Sequence, residues 1–269
     1  MIAVTRYAPD LPAWPRELNL RIAALSDLHS CRPFMDGRLI RAVCAQVNAL
    51  KPDIVLLLGD YVRGPRFSQE LARDEWAGAL ATLSAPLGVH AVLGNHDYDD
   101  LTREDVSRQP VPVEQALRGV GIAVYVNGSV RITHGARGFW LAGIGSQHAF
   151  HSRGQSYDQP DLGLEDLAAT LGQVSSKEPI LLMAHEPDIL PDVPRRVALT
   201  LSGHTHGGQI KLFGRTPVVP SKFGDRYVRG HIVEDGRHLI VSCGLGYSGW
   251  PIRIGTKPEI VIVELGNRA

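Results

Sequence analysis

Five short apolar runs, each followed by polar residues of the kinds that bind metal ions, constrain the fold of this chain more than any other feature. The run at 89–93 passes without a spacer into Gly94-Asn95-His96-Asp97. The other runs, at 22–25, 54–58, 180–183 and 197–201, lead into Asp27 and His29, Asp60, His185, and His204 and His206, respectively. Bounded apolar runs of this length predict buried strands, and ligands bind at the carboxyl ends of strands in open α/β sheets. The sequence therefore predicts a single site whose residues follow the carboxyl ends of five strands.

The first half of the chain has the pattern of a βαβ unit. The predicted elements are a strand at 20–25, a helix at 39–50, a strand at 54–58, a helix at 70–83, the strand at 89–93 and a short helix at 113–118. A strand, a helix and a second strand joined by short loops pack as parallel strands with the helix outside the sheet. We therefore expect a largely parallel sheet in this half.

The second half is rich in strands. They are predicted at 122–126, 130–133, 139–144, 180–184, 197–202, 209–213, 238–243 and 259–265, with an edge strand at 2–7. Asn127-Gly128 predicts a tight hairpin between the first two of these strands. A polar loop at 147–160, which contains His148 and His151, precedes a predicted helix at 164–171 and is long enough to serve as a lid. We expect residues 1–269 to form one α/β domain, with sheets inside and helices outside, and its core motifs at 20–210.

The composition narrows the classes of partner. Lys and Arg number 28, equal to Asp and Glu, so no overall field favours nucleic acid or an acidic membrane surface. The three cysteines are odd in number and lack paired spacing, which argues against a disulfide framework and a thiolate zinc site. The chain lacks the roughly 18 consecutive apolar residues of a membrane span. It also begins without a basic head and apolar run, so we expect a soluble chain with no signal peptide.

The polar residues at the strand ends form a set of seven candidate metal ligands. They are Asp27, His29, Asp60, Asn95, His185, His204 and His206. Seven nitrogen and oxygen donors exceed what one tetrahedral zinc ion uses. They suit two first-row metals that share Asp60, roughly 3.5–4 Å apart, an arrangement that serves in-line displacement at phosphorus. Mn, Fe, Zn, Co and Ni are all compatible with these donors, and we favour Mn.

Five blocks of the sequence resemble, in order, the signature of the calcineurin-like metallophosphoesterases. The blocks are Asp27-Leu28-His29, Gly59-Asp60, Gly94-Asn95-His96-Asp97, His185 and Gly203-His204-Thr205-His206. This resemblance implies a sandwich of two mixed β-sheets flanked by helices. It also implies hydrolysis of P–O bonds by attack of a hydroxide that bridges two divalent metal ions.

The resemblance also implies a role for each ligand. The first metal would be held by Asp27, His29, Asp60 and His206, and the second by Asp60, Asn95, His185 and His204. His96 would face the scissile phosphate, where it donates a proton to the leaving oxygen or stabilises the transition state.

One position departs from the family pattern. Some members carry an aspartate three residues after the Gly-Asp aspartate, where it orients the catalytic imidazole, and this chain has Arg63 there. We expect Asp97 to take over part of that role. Arg32, Arg63 and Arg66 follow the ligand blocks, and they either bind a second anionic group of the substrate or are solvated.

The segment Gly207-Gly208-Gln209 resembles a bacterial branch of phosphodiesterases that are often membrane-associated. Relatives of that branch include enzymes that cleave the pyrophosphate of UDP-diacylglucosamine. The resemblance implies a small phosphodiester or pyrophosphate substrate and no nucleic-acid surface. It places the protein in the cytoplasm or at the inner membrane of a bacterium, with peripheral membrane association.

Three hypotheses for function remain open at this stage. The first is a phosphodiesterase, and the second is a lipid-nucleotide pyrophosphatase with an apolar trough beside the metals. The third is a metal-binding scaffold without catalysis, against which an intact His96 and a complete ligand set argue. The sequence does not set the oligomeric state.

Overall fold

The computed structural model describes residues 2–151, 155, 163–211 and 216–267. Within them, the chain forms two six-stranded sheets, a two-stranded ribbon and five α-helices. The strands are β1 (Ala3–Tyr7), β2 (Leu20–Leu25), β3 (Cys31–Arg32), β4 (Ile54–Leu57), β5 (Gln69–Glu70), β6 (Val89–Ala91), β7 (Ala123–Val124), β8 (Gly128–His134), β9 (Arg137–Gly143), β10 (Ile180–Met183), β11 (Val197–Ser202), β12 (Gly230–Glu234), β13 (Arg237–Val241) and β14 (Glu259–Leu265). The helices are α1 (Gly37–Ala49), α2 (Arg73–Leu80), α3 (Arg103–Arg108), α4 (Pro112–Gly119) and α5 (Leu167–Gly172).

Both large sheets are mixed, as the family resemblance implies. The first has the order β1-β14-β2-β4-β6-β7, in which β2, β4, β6 and β7 run parallel and β14 is antiparallel to β2. The second has the order β12-β13-β11-β10-β9-β8, with parallel pairs in the middle and antiparallel pairs at both edges. Because the central strands of both sheets are parallel, their carboxyl ends lie together at one edge of each sheet.

The sheets pack face to face, and alternate residues of the central strands divide between two apolar layers. Ile22 and Ala24 of β2 face the second sheet, where they join Phe139 and Leu181 in one buried cluster. The intervening residues of β2 pack in a separate cluster with helices α1 and α2. Strands buried on both faces read as continuous apolar runs rather than as alternating ones, which explains the runs in the sequence.

Side-chain capping and strand pairing determine the residues at which the first two helices begin. Asp36 caps α1 by accepting a hydrogen bond from the Leu39 amide at 2.8 Å. The second helix starts at Arg73, later than the predicted residue 70, because Gln69 and Glu70 pair with Cys31 and Arg32 as the β3–β5 ribbon. Strand pairing thus overrides the helical spacing of residues 70–72.

The hairpin predicted at Asn127-Gly128 is wrong. β7 pairs with β6 in the first sheet, whereas β8 pairs with β9 in the second, so the chain crosses between sheets at this point. Asn127 has a φ of +57°. Its side-chain oxygen accepts hydrogen bonds from the amides of Gly145 and Asp166, and its amide group donates to the Leu164 carbonyl. The asparagine therefore joins three segments instead of turning a hairpin.

Two further strand predictions differ from the structure. At 209–213, Gln209 has a φ of +43° and Ile210 makes an isolated bridge to Ile254, while residues 212 and 213 lie outside the described residues. β12 was not predicted, although Asp235 and Gly236, both at positive φ, form the turn into β13. Asp-Gly is a recognised hairpin signal that the sequence does contain.

The helix predicted at 164–171 is α5, which begins at Leu167 after the cap residue Asp166. Residues 152–154 and 156–160 of the predicted loop lie outside the described residues. Among the helices that are described, none is both long and apolar enough to cross a membrane.

We predict that Asn127→Ala lowers the free energy of unfolding by about 2 kcal/mol, because it leaves the amide of the buried residue Gly145 without its partner and removes a residue suited to positive φ. Urea denaturation measures the change. Asn127→Gly keeps the backbone conformation but loses the side-chain hydrogen bonds, and we expect it to be destabilised as well. Wild-type stability in Asn127→Gly would show that these hydrogen bonds contribute nothing.

Candidate metal centre

The seven candidate ligands meet at the carboxyl ends of five strands. Asp27 and His29 follow β2, Asp60 follows β4, Asn95 follows β6, His185 follows β10, and His204 and His206 follow β11. Three of these strands belong to the first sheet and two to the second. Packing the sheets face to face therefore brings together residues up to 179 positions apart in the chain (27 to 206).

The first group contains Asp27, His29 and His206, all buried. One possible ligand atom from each lies within 4.8 Å of the others. The Nε2 atoms of His29 and His206 are 3.1 Å apart, and His206 Nε2 lies 3.5 Å from a carboxylate oxygen of Asp27. Two imidazole nitrogens and a carboxylate oxygen converge on one point, as a divalent cation requires.

The second group contains Asp60, His185 and His204, also buried and within the same distance of one another. Asp60 Oδ2 lies 3.2 Å from His185 Nε2 and 3.6 Å from His29 Nε2. This oxygen therefore stands between the two groups, in the position of a shared ligand. Asn95 Oδ1 is buried and accepts no hydrogen bond from the described residues, as expected of an oxygen reserved for a cation.

Hydrogen bonds to backbone carbonyls orient two of the imidazoles. His29 Nδ1 lies 2.7 Å from the carbonyl oxygen of Arg63, and His185 Nδ1 lies 2.6 Å from that of Leu58. Each Nδ1–H donates to its carbonyl, which leaves Nε2 with a lone pair for a cation.

Burial and the nearby Asp60 carboxylate shift the pKa values of the ligand side chains. Burial raises the pKa of Asp27 to about 6 and lowers the pKa of His29 to about 4, and it also holds the pKa of His206 well below its usual value. Burial opposes a charge on His185 too, but the Asp60 carboxylate raises the pKa of that imidazole overall. A cation therefore competes with a proton for His185.

The backbone of the site is strained. Asp27 and His29 have positive φ, as do Asp60, His204 and His206. Left-handed conformation costs a residue with a side chain about 1–3 kcal/mol and gathers at functional sites. Position 59 needs glycine for two reasons. Its φ is positive, and a Cβ there would lie 2.7 Å from His185 Nδ1.

His96 lies at the base of the cleft, and its ring is held by Asp99 rather than by Asp97. Its Nδ1 is 2.9 Å from Asp99 Oδ2, and its backbone amide donates to Asp60 Oδ1 at 2.9 Å. The Asp97 carboxylate accepts hydrogen bonds from the amides of Gly94, Asp60 and Tyr61. Asp97 thus fixes the two ligand loops, and the orienting contact expected of it belongs to Asp99.

Arg253 is a residue of the site that the sequence analysis missed. Its guanidinium lies 3.2 Å from His206 Nδ1 and donates to the carbonyls of Cys243 and Gly246. No motif marks it, because it reaches the centre from a loop 47 residues beyond His206.

A cleft of about 1400 Å³ opens from the metal groups. Its lining includes Asp60, Asn95, His96, His204 and His206 at the base, and Arg63, Arg66, Phe67, Arg103, Phe150, His151 and Gln155 on the walls.

Arg32, unlike Arg63 and Arg66, is not among the lining residues and pairs with Glu75 at 2.6 Å. The ring of His148 lies 5.3 Å from that of His204. The described part of the 147–160 loop therefore borders the site.

We predict that the wild-type protein, loaded with Mn²⁺, retains two metal ions per chain. His185→Ala should retain about one, because only the second group loses a ligand, and Asp60→Ala should retain fewer than one, because both groups lose theirs. Elemental analysis after gel filtration measures these numbers, with the exposed-strand variant His231→Ala as control. Loss of a single ion from Asp60→Ala would contradict a shared carboxylate.

Comparison with known proteins agrees with this geometry. The family model described as calcineurin-like phosphoesterase matches residues 20–234. The chain is 31% identical to the metallophosphoesterase YkuE of Bacillus subtilis, over 92% of this chain and 79% of that protein. It is 31% identical to the phosphodiesterase YaeI of Escherichia coli, over 91% and 82%. It is 28% identical to the UDP-2,3-diacylglucosamine pyrophosphatase LpxG of Chlamydia trachomatis, over 98% and 89%. The chain belongs to the calcineurin-like phosphoesterase family.

Proposed function

We propose that residues 1–269 form one catalytic domain that hydrolyses phosphodiesters with two divalent metal ions. The observation that carries the proposal is the Asp60 carboxylate, which stands between two buried ligand groups beside His96. Asp27, His29, Asp60 and His206 would hold one ion, and Asp60, Asn95, His185 and His204 the other. When bound, such a pair activates a water and neutralises charge on the phosphoryl oxygens. The donors accept Mn, Fe, Zn, Co or Ni, and we favour Mn.

His96 is the residue of the chain that supplies the proton. Its Nδ1 is engaged by Asp99, so Nε2 is the nitrogen that can donate to a leaving oxygen. Burial disfavours a charged ring, but Asp60 and Asp99 raise the pKa of His96 overall. The protonated ring is a general acid for the leaving oxygen.

The size of the cleft supports a diester rather than a monoester. Clefts for small ligands measure about 300–1,000 Å³, and this one measures about 1400 Å³. A diester carries a substituent on each side of the phosphorus, and the space beside the metal groups accommodates both. The relative YaeI, a named phosphodiesterase, supports the same assignment.

We expect the Mn²⁺-loaded protein to hydrolyse bis-p-nitrophenyl phosphate with higher kcat/KM than p-nitrophenyl phosphate. His96→Ala should lower kcat/KM for methyl phenyl phosphate, a diester whose phenolate needs a proton to leave, about 10²-fold or more, because general acid catalysis contributes on that scale. Elemental analysis should show metal retained in this variant, and His231→Ala is the control. A preference for the monoester would overturn the diester assignment. A metal-loaded protein inert to diesters, monoesters and pyrophosphates would favour a scaffold without catalysis.

A second candidate, a lipid-nucleotide pyrophosphatase at a membrane surface, is favoured by apolar side chains at the cleft mouth. Phe67 and Trp250, here named the rim patch, are exposed, and Phe67, which is 83% exposed, lines the cleft. The backbone amide of Arg66 donates to the Gly249 carbonyl at 2.8 Å, which joins the two loops that carry the patch.

The rim patch combines apolar and cationic character. The Phe67 and Trp250 rings are 6.2 Å apart, and the Arg66 guanidinium lies 4.7 Å from the Trp250 ring. A diacyl nucleotide substrate presents acyl chains beside anionic phosphates, which this combination matches. The activity named for the relative LpxG belongs to the same class.

This second candidate predicts turnover of UDP-diacylglucosamine in mixed micelles. The double variant Phe67→Ala, Trp250→Ala should raise KM for the lipid about tenfold, since it removes two large apolar contacts, and should leave kcat/KM for bis-p-nitrophenyl phosphate unchanged. Val233→Ala, an exposed apolar position on β12, is the matched control. Equal loss on both substrates, or no turnover of the lipid, would exclude the candidate.

A further inference from the structure

We propose that Asp99 is the positioning residue for His96 and that Arg63 holds Asp99 in place. The three side chains form a chain of contacts in which an arginine and a nearby aspartate do the work of an aspartate at position 63. This inference rests on the phosphoesterase function proposed above.

The spacing of His96 and Asp99 produces their contact. His96 lies in the 3₁₀ helix Asn95–Tyr98, and Asp99 caps its carboxyl end. Side chains three residues apart are eclipsed in a 3₁₀ helix, so Asp99 stands directly above the imidazole. Its Oδ2 lies 2.9 Å from His96 Nδ1. A carboxylate there fixes both the tautomer and the plane of the ring.

Arg63 holds the same oxygen of the Asp99 carboxylate. Its Nε lies 2.9 Å from the same Asp99 Oδ2. The Arg63 backbone is itself anchored, because its amide donates to Glu70 Oε1 at 3.0 Å and its carbonyl accepts from His29 Nδ1 at 2.7 Å. Arg63 therefore connects a ligand of the first metal group with the imidazole that faces the substrate.

The neighbouring acids do not share this role. Asp97 uses both carboxylate oxygens on backbone amides, and Asp60 meets His96 through the His96 amide. Asp100 reaches Arg63 at 3.6 Å, but its side chain is 85% exposed. Among the residues that the structure describes, Asp99 is the acid hydrogen-bonded to the His96 ring. Partly exposed ion pairs add little to stability, so removing Asp99 should leave the protein folded.

The test compares two leaving groups in the Mn²⁺-loaded protein. In methyl phenyl phosphate the leaving phenolate needs a proton, whereas the p-nitrophenolate of methyl p-nitrophenyl phosphate leaves without one. Asp99→Ala and Arg63→Met should lower kcat for the phenyl ester about tenfold or more, and for the nitrophenyl ester less than about threefold. Metal content should stay at the wild-type value. Asp100→Ala is the matched control and should behave as wild type on both esters.

A double-variant cycle separates positioning from a structural effect. If Asp99 acts through His96, then His96→Ala with Asp99→Ala should be no slower than His96→Ala alone. Additive losses, equal losses on both esters, or the same losses in Asp100→Ala would overturn the proposal.

The proposal also has a readout that does not depend on turnover. In the diamagnetic Zn²⁺-loaded protein, at a pH where the ring is neutral, imidazole ¹⁵N shifts of His96 should report the Nδ1-protonated tautomer in the wild type and a mixture in Asp99→Ala. Unchanged shifts would overturn the positioning role. A wild type that hydrolyses no ester but shows this tautomer change would reject the proposed function while supporting the role of Asp99.

Discussion

Two carboxylates, Asp27 and Asp60, are buried between the two sheets, and the site depends on keeping them there. A buried carboxylate is costly unless hydrogen bonds or opposite charges compensate it. Asp27 accepts the amide hydrogen of His204 at 3.0 Å, and Asp60 lies beside the imidazoles of His29 and His185. Two divalent cations would offset the remaining free-energy cost of burying these carboxylates. The stability of this region is therefore linked to metal binding.

The strained backbone of the ligand loops follows from the same constraint. Five candidate ligands adopt positive φ, and the surrounding structure must hold them there. The parallel strands that precede them are buried on both faces, and the Asp97 carboxylate joins the loops after β4 and β6 through three backbone hydrogen bonds. The rigid sheets therefore supply the stability that the loops themselves lack.

Local patterns predicted much of the fold, and long-range pairing explains the errors. The central strands were predicted correctly because a strand that is buried on both faces has a continuous apolar run in its sequence. Asn127-Gly128 has the composition of a hairpin, but its neighbours pair with strands of different sheets, and the asparagine amide binds residues from two other segments, at 145 and 164–166. Glu70 was predicted to begin a helix, yet it pairs with Cys31. Neither pairing leaves a signal in the local sequence.

The sequence by itself determined the family, the mixed α/β architecture and the set of residues with metal-binding chemistry, because these depend on residue type and on order along the chain. The tertiary structure decided which side chains support that chemistry. Asp99 and not Asp97 contacts His96, Arg63 reaches Asp99, and Arg253 arrives at His206 from a distant loop. Such contacts depend on side-chain direction and on the packing of one sheet against the other, and sequence spacing specifies neither.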